Sequence, residues 1–491
     1  MSGDPKDYGA LGDGINDDSD AIQTCIDQNE MVDFSFGTYV VTKEIRVPSN
    51  RKIEFGFAKI EAKYQATNLE HWGAFAVCGT SASNEVGNVS ISGGHLVCYG
   101  SLDFDQNGEQ PKISLFRIQY ANDIRIEDVS LEGGCNKYYE KAGLKFKSIG
   151  VVDIRESKHI QITKCRYDGH ARTGSDYDCK KLNYMPWTEC IFIDSKSSHC
   201  VVESCNLKNI CYSGIGIASD DKRLDPNGFP KRFHRFVNNL IKGSEGSSIS
   251  LNSSGCVASG NTLQDSHRHH GIIVGHNGQH CSCNVITGNV ISKVGHCGIF
   301  TSNKSFNNVI SNNIIENVFM AHVQVVEDAA RRADERGDDP SEIEDAKESA
   351  KVSGMAIRVR GSRNVASANS LRVSSEEGQP CQIAIGVKAE TNDIGYAVNN
   401  SIVNNVIHGG QIRVQAPYTI VHSNSLHAGP DVALRLGPWA RFSSISNNVC
   451  KYNDKLIGVD AAMEDEQYEG IRISGNIGGQ VVFPYPNSFG G

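Results

Sequence analysis

Residues 199–220 read HCVVESCNLKNICYSGIGIASD, residues 236–255 FVNNLIKGSEGSSISLNSSG, residues 256–276 CVASGNTLQDSHRHHGIIVGH and residues 284–303 NVITGNVISKVGHCGIFTSN. Each line is a short strand, an Asn-containing turn, a second short strand and a Gly-containing turn. One supersecondary unit is being repeated. An Asn followed by an apolar or small residue recurs at Asn206, Asn239, Asn261, Asn289, Asn313, Asn369, Asn405, Asn424, Asn448 and Asn476, in steps of 33, 22, 28, 24, 56, 36, 19, 24 and 28 residues. A base period of roughly 20 to 28 residues fits one coil of a parallel β-helix, and longer steps mark loops inserted between strands. A propeller needs repeats near 40 to 50 residues and a sandwich needs hairpin turns, and neither fits. The spacing predicts an all-β parallel solenoid, with turn Asn residues in left-handed geometry bonding along a ladder.

The bulk of the chain narrows the function. Its 491 residues suit a fold that grows by adding coils. A net charge of -9 without a basic run argues against a general nucleic-acid binder. No apolar run approaches 18 residues, so no membrane-spanning helix is expected. The opening MSGDPKDYGA has neither a positive nor an apolar leader region, so either the chain is not exported by a signal peptide or a leader has been removed. Sixteen cysteines include no CxxC pair of metal spacing, the closest being Cys281 and Cys283. Cys190, Cys200, Cys205, Cys211, Cys256 and Cys297 fall in or beside repeat strands and read as small buried residues. Many free thiols favour folding in a reducing cytoplasm, and no zinc site or other metal is expected.

Near the N-terminus, glycines at 9, 12 and 14 form a loop, and Asp18 or Ser19 begins a helix with Ala21, Ile22, Cys25 and Ile26 on one face. Such a helix plugs the open end of a first coil. The segment YGALGDGINDDSDAIQ resembles the opening signature of the pectate-lyase-like right-handed β-helix superfamily. That group includes phage tailspike depolymerases, pectate lyases, polygalacturonases and mannuronan C5-epimerases. The resemblance is close over about the first 40 residues and by pattern over the coils. It implies a right-handed β-helix acting on a carbohydrate polymer. Through tailspikes it implies a homotrimer, outside the cell or on a virion.

The expected organisation is a loop and capping helix over 1–31, a β-helix over 32–452, and a last coil and tail over 453–491. A helical hairpin over 323–353 is inserted, because VEDAARRADERGDDPSEIEDAKESAKV has helical propensity and few β-branched residues. Gly337 interrupts it, and Asp339-Pro340 begins its second helix. Two long loops lie near 171–187 and 220–232, and loops on a rigid scaffold are where sites are commonly built.

Stacking makes aligned positions neighbours about 4.8 Å apart. Aligning Ile191, Ile215, Ile249, Ile272, Ile299 and Ile357 as inward residues yields an outward column of Phe192, Gly216, Ser250, Ile273, Phe300 and Arg358. Two residues on lies a second column of Asp194, Ala218, Asn252, Gly275, Ser302 and Arg360. Preceding the strands are Thr188, Tyr212, Gly246, His269 and His296, and one residue earlier Cys211, Glu245, Arg268 and Gly295. This register sets Glu245 beside Arg268 and His269 beside His296, with Asp220 and Asp221 near His276.

Two mechanisms follow. Glycoside hydrolysis needs paired acids, for which Glu189, Asp194, Asp220, Asp221 and Glu245 are candidates. β-Elimination needs a base and a positive group, for which His269 and Arg268 are candidates. Tyr212, Asn252, His270, His276, His296, Arg358 and Arg360 are candidate substrate contacts. The segment DSHRHHG resembles the Asp-Arg-His-Gly segment of mannuronan epimerases, which implies a site role for its Arg and His. HHGIIVGH and the SDD at 219–221 are similar to polygalacturonase segments, but the gap from Asp221 to His270 is too long to transfer those roles. The expected function is cleavage of a bacterial surface or acidic polysaccharide by a tailspike-like hydrolase or lyase. The alternatives are a secreted uronate lyase or C5-epimerase, or a non-catalytic glycan-binding adhesin. No cofactor is expected, Ca2+ belonging only to the lyase reading.

Overall fold

The computed structural model describes residues 2–63, 71–98, 112–133, 149–169, 188–210, 212–218, 232–244, 246–266, 269–275, 280–318, 355–373, 383–388, 398–427, 432–437, 439–451, 455–459 and 469–482. The chain is a right-handed parallel β-helix. It forms two compact units, Met1–Asp220 with Lys231–Glu245, and Asp221–Pro230 with Gly246–Gly491. The expected hairpin at 323–353 lies outside the described residues, as do the loops at 171–187 and 220–231.

The first unit opens with helix α1, Ser19–Gln28, which buries Ile22, Cys25 and Ile26. It packs on Ser2–Gly3, Met31–Asp33 and Ile45–Arg46 and so closes the first coil as expected. Asp18 serves the loop rather than the helix end: its carboxylate accepts from Leu11 N (2.7 Å) and Val40 N (3.1 Å). Behind it, Phe34, Phe55, Phe75 and Phe116 pack ring to ring at 5.0, 5.1 and 6.1 Å.

One sheet of this unit stacks Ile45–Arg46, His71–Cys78, Lys112–Gln119, Ile149–Arg155, Thr188–Ile193 and Ile215–Ile217, all parallel. In the second unit, Ile249–Leu251, Ile272–Val274, Cys297–Thr301, Met355–Val359 and Ile383–Lys388 stack likewise. Ile191 pairs with Ile215, and Ile249, Ile272, Ile299 and Ile357 pair in turn, which is the expected register. All six are buried, and Phe192, Phe300 and Arg358 occupy the outward column.

The Asn ladder is the second unit's main polar device. Asn289 donates its backbone N–H and its amide to the Oδ1 of Asn313, at 3.0 and 2.9 Å. Its amide also donates to the carbonyl of Ala258 at 3.0 Å. Equivalent rungs join Asn261, Asn313, Asn369, Asn405, Asn424, Asn448 and Asn476. The left-handed residue is the one preceding each rung, such as Gly260, Asn312, Ala368 or Asn447. The ladder Asn itself is therefore not the left-handed residue that the spacing predicts. A second buried ladder runs through Asn284, Asn308, Asn364 and Asn400.

Cysteines take the same place in other coils. Cys205 N donates to Asn239 Oδ1 at 3.0 Å, and Ser204 before it has φ of 56°. Asn206, expected as a rung, instead pairs with Leu240 one position on. The twelve described cysteines are all free, and ten of them are buried.

Candidate functional site

In the first unit, Asp153 and Phe192 are register partners on the outer column, and Phe192 pairs next with Gly216. The Glu189 carboxyl lies over the α-carbon of Gly216, where a Cβ would overlap it. A residue other than glycine at 216 would displace that carboxyl. Asp153 is fully buried and accepts from Arg155 Nε (2.6 Å) and Nη2 (2.9 Å), and from Gly150 N (3.3 Å). Arg155 lies with its Cζ 4.8 Å from the centre of the Phe192 ring.

Glu189 is only 7% exposed, and its Oε2 has no hydrogen-bond partner among the described residues. Burial pushes its pKa from 4.5 up to about 8, the negative charge of Asp153 adds to the rise, and Arg155 opposes it. Tyr212 is close enough that the Glu189 charge, after burial, raises its hydroxyl further above the ordinary tyrosine range. The result is one carboxylate held by Arg155 and one carboxyl that keeps its proton at neutral pH. Carboxyl groups whose environments separate their pKa values in this way are suited to divided acid and base roles.

Arg155 also stabilises the fold. In Arg155→Leu, Asp153 keeps its burial and loses two charged donors, at an expected cost of about 2–3 kcal/mol. Urea unfolding at neutral pH measures this loss, which should shrink in an Asp153→Asn background.

The second unit holds a different cluster. Ile273, Phe300 and Arg358 are consecutive in the outward column. His270 stacks on Phe300 at 4.8 Å and 10°, and on His296 at 4.8 Å and 29°. The Cζ atoms of Arg358 and Arg360 each lie 5.8 Å from the Phe300 centroid. Burial lowers the His296 pKa to about 3, with Arg358, His269 and Arg360 adding to the effect, so its ring is neutral at physiological pH. Burial raises the Cys297 thiol, against a lowering by Arg358. The donor atoms of His270, His296 and Cys297 lie within 4.8 Å of one another.

The candidates from sequence divide accordingly. Glu189 joins Asp153, Arg155 and Tyr212. Asp194 is committed to its own turn, accepting from Ser197 N (2.9 Å), Ser197 Oγ (2.6 Å) and Glu156 N (3.1 Å), which removes it from an acid pair. His270 makes the ring contact with His296 that was expected of His269. His269 lies 6.1 Å from His270, and Asn252 donates to Ser250 Oγ at 3.2 Å. Glu245, Arg268, Asp220, Asp221 and His276 lie outside the described residues. Asp153 and Arg155 were missed, although IGVVDIR carries the signal: with Val152 and Ile154 inward, Asp153 and Arg155 point outward.

Residues 5–216 match the family model described as rhamnogalacturonase A/epimerase, pectate lyase-like, and residues 189–330 match the right-handed β-helix region. This is a pectate-lyase-like right-handed β-helix protein. The plasmin and fibronectin-binding protein A of Streptococcus pneumoniae is 27% identical to this β-helix over 185 residues, 34% of this chain and 24% of the relative. The match thus spans about a quarter of that relative's length. Among solved structures, PfbA, a surface adhesin of S. pneumoniae, superposes with a TM-score of 0.53 at 15% identity, over 94% of this chain and 93% of its own. The A-module of the Azotobacter vinelandii mannuronan C-5 epimerase AlgE4 gives 0.53 at 14%, over 91% and 100%. An adhesin and an epimerase share this pectate-lyase-like scaffold, so the fold does not choose the chemistry. Among the described residues no helix is long and apolar enough to cross a membrane.

Proposed function

We propose that the chain is a carbohydrate-active enzyme that hydrolyses a polysaccharide, with Glu189 as proton donor to the departing sugar oxygen. One observation carries this reading: Glu189 is a buried, unpaired carboxyl pushed up to about 8 beside the ionised Asp153–Arg155 pair. Glycoside hydrolysis requires an acid protonated at working pH and a second carboxylate. Asp153 keeps the proton on Glu189 and contributes negative charge opposite a developing oxocarbenium ion. The pectate-lyase-like family membership supports a glycan polymer as substrate. The surface location named for the adhesin relative supports a setting outside the cell.

Incubation with capsular, uronate and neutral polymers tests the reading. New reducing ends without ultraviolet-absorbing unsaturated product are expected. An unsaturated product indicates a lyase, and binding without either product indicates an adhesin. Both outcomes overturn the hydrolase.

The pH dependence follows from the same group. Glu189 donates only when protonated, so kcat/KM should fall about tenfold per pH unit above about 8. A pH–rate profile of the free enzyme measures this limb.

A further inference from the structure

The outward column of the second unit continues past the ring cluster. In register order it reads Ile273, Phe300, Arg358, Gly386, Arg413, Arg435 and Gly458. Three arginines and no acidic residue occupy it, in a chain of net charge -9. Arg360 adds a fourth guanidinium beside Phe300. The strands rise about 4.8 Å per coil, so Arg358 and Arg413 stand about 10 Å apart and Arg435 follows one coil on.

Arg358 is 9% exposed, and its Nε has no hydrogen-bond partner among the described residues. Its flanking residues Ile357 and Val359 are buried inward, which fixes Arg358 on the outer face. Phe300 fixes the Arg358 and Arg360 guanidiniums through cation–π contact. The donor triad of His270, His296 and Cys297 offers a cation three ligand atoms, but two permanent positive charges adjoin it. An anion meets those charges favourably. Guanidinium forks match carboxylate and sulfate oxygens in bidentate geometry.

We infer that Arg358, Arg360, Arg413 and Arg435 form a binding strip for a polyanionic glycan, a carboxylated or sulfated polysaccharide running across the coils. This rests on the polysaccharide reading above and adds the charge of the polymer. The strip holds the chain through its repeated acidic groups, so affinity grows with oligomer length.

The test is calorimetric titration of the full chain, in a Glu189→Gln background that removes cleavage. The probes are oligogalacturonate hexamer, a heparin-derived hexasaccharide and neutral maltohexaose. Binding of at least one anionic hexamer is expected, at least tenfold tighter than maltohexaose and weakened by salt. The two anionic arms separate carboxylate from sulfate. Arg358→Gln, Arg413→Gln and Arg435→Gln should each weaken the anionic probe about tenfold or more with the melting temperature retained. If Arg358→Gln unfolds, the half-buried Arg413 and Arg435 carry the test. Equal binding of the neutral hexamer, no binding of either anionic hexamer, or folded arginine variants with unchanged affinity would overturn the strip. Equally tight binding of an oligonucleotide of matching charge would also overturn it. Failure here leaves cleavage of a neutral polymer standing, and failure of cleavage leaves the strip standing.

Discussion

Glu189→Gln is expected to lower the cleavage rate 10²–10⁴-fold, the usual contribution of a positioned general acid, and at the same time to stabilise the protein at pH 8. The two effects have one origin. Glutamine reproduces the shape of the neutral carboxyl and has no proton to donate. It also cannot ionise in the unfolded chain. For the native carboxyl, the folded pKa of about 8 stands above the ordinary 4.5. Below pH 4.5 the group is protonated in both states and folding suffers no penalty. Between 4.5 and about 8 the unfolded chain releases the proton and the folded chain keeps it, so stability is progressively lost as pH rises. The rise from 4.5 to about 8 corresponds to about 5 kcal/mol at 1.36 kcal/mol per pH unit, an upper figure for a fully buried group. Urea unfolding of both proteins at pH 4 and pH 8 measures it. The stability difference should open only at the higher pH. A purely structural Glu189 would give the stability effect without the loss of cleavage.

The second large effect belongs to the scaffold. Asn289→Ala removes two accepted and three donated hydrogen bonds within the buried ladder. The backbone N–H of Asn261 and the carbonyl of Ala258 lose these partners in an interior without water. At about 1–3 kcal/mol for each stranded group, plus the small cavity, the cost is about 4–6 kcal/mol. That corresponds to a fall in melting temperature of roughly 10 °C or more for a unit of this size. Asn313→Ala breaks the same rung from the other side. The double variant should therefore cost clearly less than the sum of the singles, because the Asn289–Asn313 bonds can be lost only once. Calorimetric scans of the three variants report this. Additive losses would show that the rungs act independently.

The coil register was legible because inward isoleucines recur at one place in each repeat, and a slip by one residue would expose all of them. The ladder was legible from Asn289, Asn313 and Asn405, whose spacing is the coil itself. It was misread at Asn206 because the coil there uses Cys205, and a small buried thiol leaves no polar signature in the pattern. The left-handed residue before each rung was hidden for a similar reason. Glycine, asparagine, alanine and serine all occupy it, and only the backbone hydrogen bonds of the stack select that geometry. Glu189 could be named from sequence as an acid, but not its protonation. That depends on burial over Gly216 and on Asp153, one coil away from Phe192. Phe300 was placed beside Arg358 by register alone, whereas the stacking of His270 on its ring depends on a turn that periodicity does not describe.

The central claim is that Glu189 donates a proton to a glycosidic bond. Its most direct test is release of reducing ends from one bound polysaccharide, followed for the native protein and for Glu189→Gln at pH 6. The account predicts steady release by the native protein and at least 100-fold slower release by the variant, with equal binding of the polymer. Equal release by both proteins, or binding with no release by either, would contradict it.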